Sequence, residues 1–275
     1  MKIFKRILLV SALLIILSSV YAHLLHPVFF FSRQPVTYAD SFALQGGSEV
    51  LFQSGPYTLR GRLKAPKDVT KKVPAIIFCD GSGGQSSYAT TYYSKFIDSL
   101  YEHNLPQDSL AFLYFEKRGV GKSEGVWYNT SFEQRAEDVK AAADYLRSLS
   151  FIDTSKIAVV GHSQGGWIVQ ICLSKYGQAF AGGISMAGPT FGVKEQVVND
   201  YASSLICKGK LNEEKAWEKA LNKVNFDFLF ASAFPFQQEW KQLSVIKQFD
   251  PAGYLKTVNK PLLLLFCEND ALVSP

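Results

Sequence analysis

Between the apolar run Ile157-Ala158-Val159-Val160 and a helical pattern that continues to about Tyr176 stands the string Gly161-His162-Ser163-Gln164-Gly165-Gly166. No other segment limits the fold as tightly. A chain that leaves a buried strand and enters a helix within so few residues must turn sharply, and its glycines supply the room. A serine at the tip of such a turn sits in strained backbone, which is tolerated only where the neighbours lack bulk. The turn lifts the Ser163 hydroxyl clear of the sheet. It also places the Gln164 N–H in the first helical turn, where that N–H and the helix dipole can stabilise a developing anion. Ser163 is therefore a candidate nucleophile and Gln164 a candidate oxyanion donor, with Gly161 and Gly165 closing the elbow. The alternative is a Gly-rich βα loop without chemistry, because isolated G-x-S-x-G strings occur by chance. The strand–turn–helix context favours the nucleophile.

The rest of the chain past residue 40 alternates in the same way. Ser48–Gln53 and Tyr57–Ala65 read as a strand pair around a Gly55-Pro56 turn. Val73–Cys79 is a continuous apolar run, as expected of a strand covered on both faces. Helical spacing follows over Tyr88–Tyr101, then a strand over Leu110–Phe115. Ser131 is placed to cap a helix running to about Leu149, with Ala136, Val139, Ala143 and Leu146 in one stripe. Phe180–Ala187 and Pro261–Cys267 supply two more strands. Repeated β-α-β alternation predicts an α/β fold with a mostly parallel sheet and helices on both faces. From about 189 to 248 the alternation stops. Leu211–Val224 reads as a helix with Asn212 near its start, and Asn225–Phe236 packs five phenylalanines into twelve residues. This stretch is too long for a plain loop and reads as an inserted helical cap. Its rings suggest an apolar acyl or aromatic substrate group, or simply packing of the cap against the sheet.

These segments together resemble the α/β-hydrolase superfamily, from about Ser48 to the last residue, and look most like bacterial serine hydrolases and esterases with GHSQGG elbows. Three further motifs fall in family order. Phe78-Cys79-Asp80-Gly81-Ser82-Gly83-Gly84 is similar to the loop that usually carries His-Gly, with Asp80 in the histidine's place. The resemblance implies that this loop gives the second oxyanion donor, by register the Ser82 N–H, with Gly83 next in line. Glu116-Lys117-Arg118-Gly119-Val120-Gly121-Lys122-Ser123 resembles the family's D-x-R-G-x-G-x-S turn, with Glu for Asp, and implies a structural turn beside the active site. Its Gly-Lys-Ser also tempts a nucleotide reading. A phosphate-binding P-loop, however, needs glycine where Glu116 stands, and a dinucleotide fingerprint needs glycine where Glu124 stands. Phe249-Asp250-Pro251-Ala252 and the run from Pro261 to Asp270 resemble the approach to, and the whole of, the strand bearing the triad acid. Asp270 takes that role in the order Ser…Asp…His, with Glu268 as fallback.

What the resemblance implies chemically is cleavage of a carboxylic ester through an acyl-enzyme, with a peptide or amide as the second substrate class and no metal or organic cofactor. A serine hydroxyl needs a base to take its proton. The histidines are His23, His26, His103 and His162. The first two belong to the N-terminal segment, His103 precedes a strand at the far end of the sheet, and His162 points away from its neighbour's hydroxyl. The base is thus expected beyond Pro275, together with a last strand and helix. The competing reading is a non-catalytic relative that acts as a binding module.

Composition bounds the partners. The formal charge is +5, but Lys2, Lys5 and Arg6 contribute three of those charges and residues 1–22 hold no acid. The remaining +2 is too weak a basic footprint for nucleic acid. Residues 1–22 read as a secretory signal peptide, or as a signal anchor over residues 7–25, followed by a linker over 23–47. Either predicts an exported protein, periplasmic or extracellular, with membrane anchorage if the segment is retained. The main domain is then 48–275. Four cysteines show no metal-ligand spacing. Cys79 and Cys267 fall on strands separated by two others, too distant for a disulfide, so free, buried cysteines are expected.

Overall fold

Strands β1 (Ser48–Ser54) and β2 (Tyr57–Lys64) form an antiparallel pair. They are followed by β3 (Val73–Cys79), β4 (Ala111–Phe115), β5 (Ile152–His162), β6 (Gly182–Met186) and β7 (Leu262–Leu265). The structure, a computed structural model, describes residues 2–24, 47–67, 70–84, 96–97, 99–100, 104–106, 108–268, 270 and 272–273. Its seven strands make one sheet in the order β1-β2-β4-β3-β5-β6-β7. β2 runs antiparallel to β4, and every pair from β4 to β7 is parallel. The central strands are apolar on both faces because both faces are covered. Ile77, Leu113, Ile157 and Val159 are fully buried, each contributing on the order of 1.5–3 kcal/mol relative to exposure.

Helix α1 (Lys2–Leu24) precedes the sheet and is long and apolar enough to cross a membrane by length and composition. Helix α2 (Phe132–Ser148) begins with a capping box: Ser131 accepts from the Gln134 N–H, and the Gln134 side chain accepts from the Ser131 N–H. Two donors that a helix start leaves unpaired are thereby satisfied. Its buried stripe includes the expected Ala136, Val139, Ala143 and Leu146 and packs on helix α3 (Gln164–Lys175) and the sheet. Between β6 and β7 lie α4 (Val193–Cys207), α5 (Glu213–Ala233), α6 (Gln238–Ile246) and α7 (Ala252–Leu255). Val198 and Ala202 meet Ala220 and Val224 in a small core of their own between α4 and α5. An aromatic cluster joins this segment to the sheet's helices: Phe249 lies 4.9 Å from Phe132 and 5.6 Å from Trp167.

Three sequence expectations change. β5 starts at Ile152 instead of Ile157, because the polar stretch 153–156 is a bulge within the strand. There Asp153 accepts from both the N–H and the hydroxyl of Ser155, while the register against β3 shifts. Helix α5 runs on to Ala233 instead of ending at Val224. No Gly or Pro breaks it, and at four-residue spacing Phe226 stacks on Phe230 with centroids 5.8 Å apart while Phe230 meets Phe234 at a tilt, 5.4 Å apart. The cysteines are free, but only Cys79 and Cys172 are buried. Cys207 ends α4 in solvent and Cys267 lies past the edge strand, both exposed. Most of the expected helix Tyr88–Tyr101, and His103, lie outside the described residues.

Candidate active site

The elbow follows β5. Ser163 has φ 55° and ψ −124°, a conformation that L residues rarely adopt and that costs on the order of 1–3 kcal/mol. Its N–H is tied to the Met186 carbonyl on β6 and its carbonyl to the Gly166 N–H, at 3.0 and 2.8 Å. Two of the expected glycines are required by space. A side chain at Gly161 would collide with the Gly165 carbonyl, and one at Gly165 with the Cys79 carbonyl at the end of β3. The elbow therefore packs directly on the strand from which the 80–84 loop departs. Among the described residues the Ser163 hydroxyl makes no hydrogen bond, and nothing accepts from the Ser82 or Gln164 N–H.

The 80–84 loop is held from behind by charge. Asp80, Lys117 and Arg135 are each less than a tenth exposed, with Lys117 Nζ 3.2 Å and Arg135 Nη2 3.2 Å from the Asp80 carboxylate. Lys117 also donates to the carbonyls of Gly81 (2.9 Å) and Gly83 (2.6 Å), and Arg135 to the Asp80 carbonyl (2.7 Å). Arg135 further reaches the Gln164 side-chain oxygen at 3.4 Å, linking the loop to the elbow. Burial lowers the Lys117 pKa to about 8, although Asp80 opposes the shift, and pushes the Cys79 thiol up to about 12.

The turn after β4 closes on its own side chains. The Glu116 carboxylate accepts from the Lys122 N–H, and the Ser123 hydroxyl donates to the Glu116 carbonyl. Arg118 donates twice to Asp138, at 2.9 and 2.7 Å, and Ser54 adds a third bond to the same oxygen. Burial nevertheless raises the Asp138 pKa. Sequence reasoning did not single out Lys117, Arg135 or Asp138 as site residues. The available signal was three consecutive charges, Glu116-Lys117-Arg118, directly after a wholly apolar strand, and charged residues at the edge of α2's buried stripe.

Asp270 lies beyond β7 and is half-buried. Its Oδ1 accepts from the N–H groups of Leu272 (2.8 Å) and Val273 (3.1 Å). The Gln196 and Asn199 side-chain amides on α4 donate to the Leu272 carbonyl, which ties the turn to the inter-strand helices. Asp270 is close enough to act electrostatically on two neighbours: with burial it raises the Asp200 pKa, and together with Asp80 it partly offsets the lowering of His162 by burial. Glu268, the fallback carboxylate, is exposed. The His162 ring packs on Phe96 with centroids 5.5 Å apart, and His23 bonds the Ser232 carbonyl. The elbow, the 80–84 loop and the Asp270 turn thus all follow the carboxyl ends of parallel strands, where open α/β sheets place their sites. Ring contacts link Phe226 to Phe230, Phe230 to Phe234 and Trp240, and Phe234 to Phe236.

A family model described as serine aminopeptidase, S33, matches residues 74–232. Among solved structures, an esterase of Pyrococcus furiosus superimposes with a TM-score of 0.59 at 19% identity, covering 88% of this chain and 78% of that one. Est1E from Butyrivibrio proteoclasticus with ferulic acid bound gives 0.51 at 18% identity, covering 82% and 80%. A proline iminopeptidase of Mycobacterium smegmatis gives 0.56 at 14% identity, covering 82% and 83%.

Proposed function

Because the chain belongs to the serine aminopeptidase S33 family of α/β-hydrolases, we propose that it is a serine hydrolase that cleaves carboxylic esters through an acyl-enzyme. One observation carries this reading: Ser163 stands in left-handed backbone at a strand-to-helix elbow packed against the base of the 80–84 loop. The Ser163 Oγ attacks the acyl carbonyl as a base takes its proton, and the oxyanion is held by the Ser82 and Gln164 N–H groups. Collapse expels the alcohol, and water then hydrolyses the acyl-enzyme. Asp270 orients the base, a histidine. Neither described histidine of the chain, His23 or His162, is that base: one bonds the end of α5 and the other packs on Phe96. The base is assigned to a histidine outside the described residues. A peptide or amide is the second substrate class, favoured by the family's own description. The helical segment over 189–248 acts as a cap, and α1 exports the protein or anchors it at the membrane.

The test is fluorophosphonate labelling and ester turnover of the native gene product beside Ser163→Ala. Labelling should disappear in the variant and turnover fall by roughly 10⁶-fold, the scale found for a catalytic serine in subtilisin. Labelling that survives in Ser163→Ala removes the nucleophile assignment. Absence of labelling in both proteins favours a binding module on the same fold.

A further inference from the structure

The residue that replaces the family's usual histidine after β3 is not a gap in the site. Asp80 is the centre of a buried charge cluster whose cations touch backbone carbonyls of the very loop proposed to bind the oxyanion. All three protons of the Lys117 ammonium have acceptors: the Asp80 carboxylate, the Gly81 carbonyl and the Gly83 carbonyl. Arg135 takes the Asp80 carbonyl and one carboxylate oxygen. A trans peptide points its C=O and N–H in opposite directions, and the described chain has no cis bonds. The Gly81 carbonyl and the Ser82 N–H belong to one such unit. A cation on that carbonyl therefore turns the Ser82 N–H away from the cluster and polarises it, making it a better donor to an anion. The space among Cys79, Asp80, Lys117, Arg135 and Asp138 is about 10 Å³, at the lower limit for one water, so no substrate reaches Lys117.

We propose that Lys117, locked by Asp80 and Arg135, is a positioning residue that sets and polarises the Ser82 N–H of the oxyanion hole from behind the 80–84 loop. The inference rests on the serine-hydrolase reading above. The cluster's charge is not cancelled: among its buried groups three cations, Lys117, Arg118 and Arg135, face two carboxylates, Asp80 and Asp138, and the excess positive charge favours an oxyanion on the far side of the loop. The other groups around Lys117 do not neutralise it. Cys79 on β3 is protonated, its thiol pushed up to about 12, while Asp138 on α2 is bonded by Arg118 and Ser54. In the same turn Glu116 faces Arg60 at 3.8 Å. Burial brings the Lys117 pKa down to about 8, so its charge is present below that pH and lost above it.

The experiment is a pH profile of kcat and KM for ester hydrolysis by the native gene product, with Ser163→Ala as control. Lys117→Arg and Lys117→Met are compared after thermal melting has shown each to be folded. Wild type should show an alkaline decline in kcat centred near pH 8, with KM changed less than about two-fold. Lys117→Arg, which keeps its charge, should move that decline above about pH 10. Lys117→Met should lower kcat by roughly 10²-fold, the scale of a lost oxyanion donor, and abolish the decline. A wild-type kcat that stays flat from pH 7 to 10 overturns the inference, as does a decline near pH 8 left in place by Lys117→Arg. Either result leaves Ser163-dependent turnover, and with it the functional reading, intact. Turnover that ignores Ser163→Ala overturns the functional reading and this inference together.

Discussion

The centre of the parallel sheet and its last described strand place chemistry in opposite ways. At the centre, β3 and β5 are covered on both faces, and the residues that leave them are pinned by backbone and by buried charge. Gly165 packs on the Cys79 carbonyl, and Lys117 and Arg135 grip the 80–84 loop. At the last described strand, β7, Leu263, Leu264 and Leu265 are 51%, 36% and 44% exposed. There Asp270 is held by the amides of its own turn, which leans on α4. A central strand fixes the position of the loop that leaves it, because any shift must break packing on both sides. Among the described strands β7 pairs with β6 alone, and the Asp270 turn is held by its own amides and by donors from α4.

The contrast is broken most strongly at Trp167, whose ring is buried between Phe132 and Phe249 while its Nε1 donates to the Phe191 carbonyl. Trp167→Ala is expected to cost about 3–5 kcal/mol in urea unfolding. A loss below about 1.5 kcal/mol would mean that the centre is far less tightly packed than its burial indicates.

A smaller effect separates stability from activity at Lys117. Its folded pKa lies near 8, below the ordinary 10.5. Between those values the unfolded chain binds the extra proton, so this group's contribution to stability rises with pH across that window. Wild type should gain stability relative to Lys117→Met from pH 8 to 10, in the same range where its kcat is expected to fall. A stability difference that is constant with pH would place the Lys117 pKa near its ordinary value and remove this feature of the centre. The smallest effect belongs to the Asp270 turn: Asn199→Ala, which removes one donor to the Leu272 carbonyl, should cost about 1 kcal/mol in urea unfolding. A cost above about 3 kcal/mol would show that this turn is packed as tightly as the centre.

Much of this was legible beforehand for local reasons. Val73–Cys79 is one unbroken apolar run, Ser131 stands just ahead of a helical stripe, and Gly161 and Gly165 flank a serine between strand and helix. Each of these signals is contained within a few residues. Where local chemistry contradicted the larger structure, the reading fell short. The apolar signal for β5 begins at Ile157, whereas pairing with β3 draws the polar residues 153–156 in as a bulge. The helical pattern read from sequence ends at Val224, whereas the helix itself runs to Ala233 through Phe226 and Phe230, whose rings stack.

Asp80 marks the boundary between the two kinds of information. The amino-acid sequence by itself determined the α/β class, the strand–turn–helix elbow at Ser163 and the order of the candidate residues along the chain, because periodicity and turn chemistry act over short distances. It showed Asp80 only as a substitution for a histidine. That Asp80 is a partner of Lys117 and Arg135 was decided by the tertiary structure alone, since the three come from different elements, the loop after β3, the turn after β4 and helix α2. Only the folded sheet brings them together, and only burial makes their charges matter: away from water, each of these ions needs its partners within hydrogen-bonding reach.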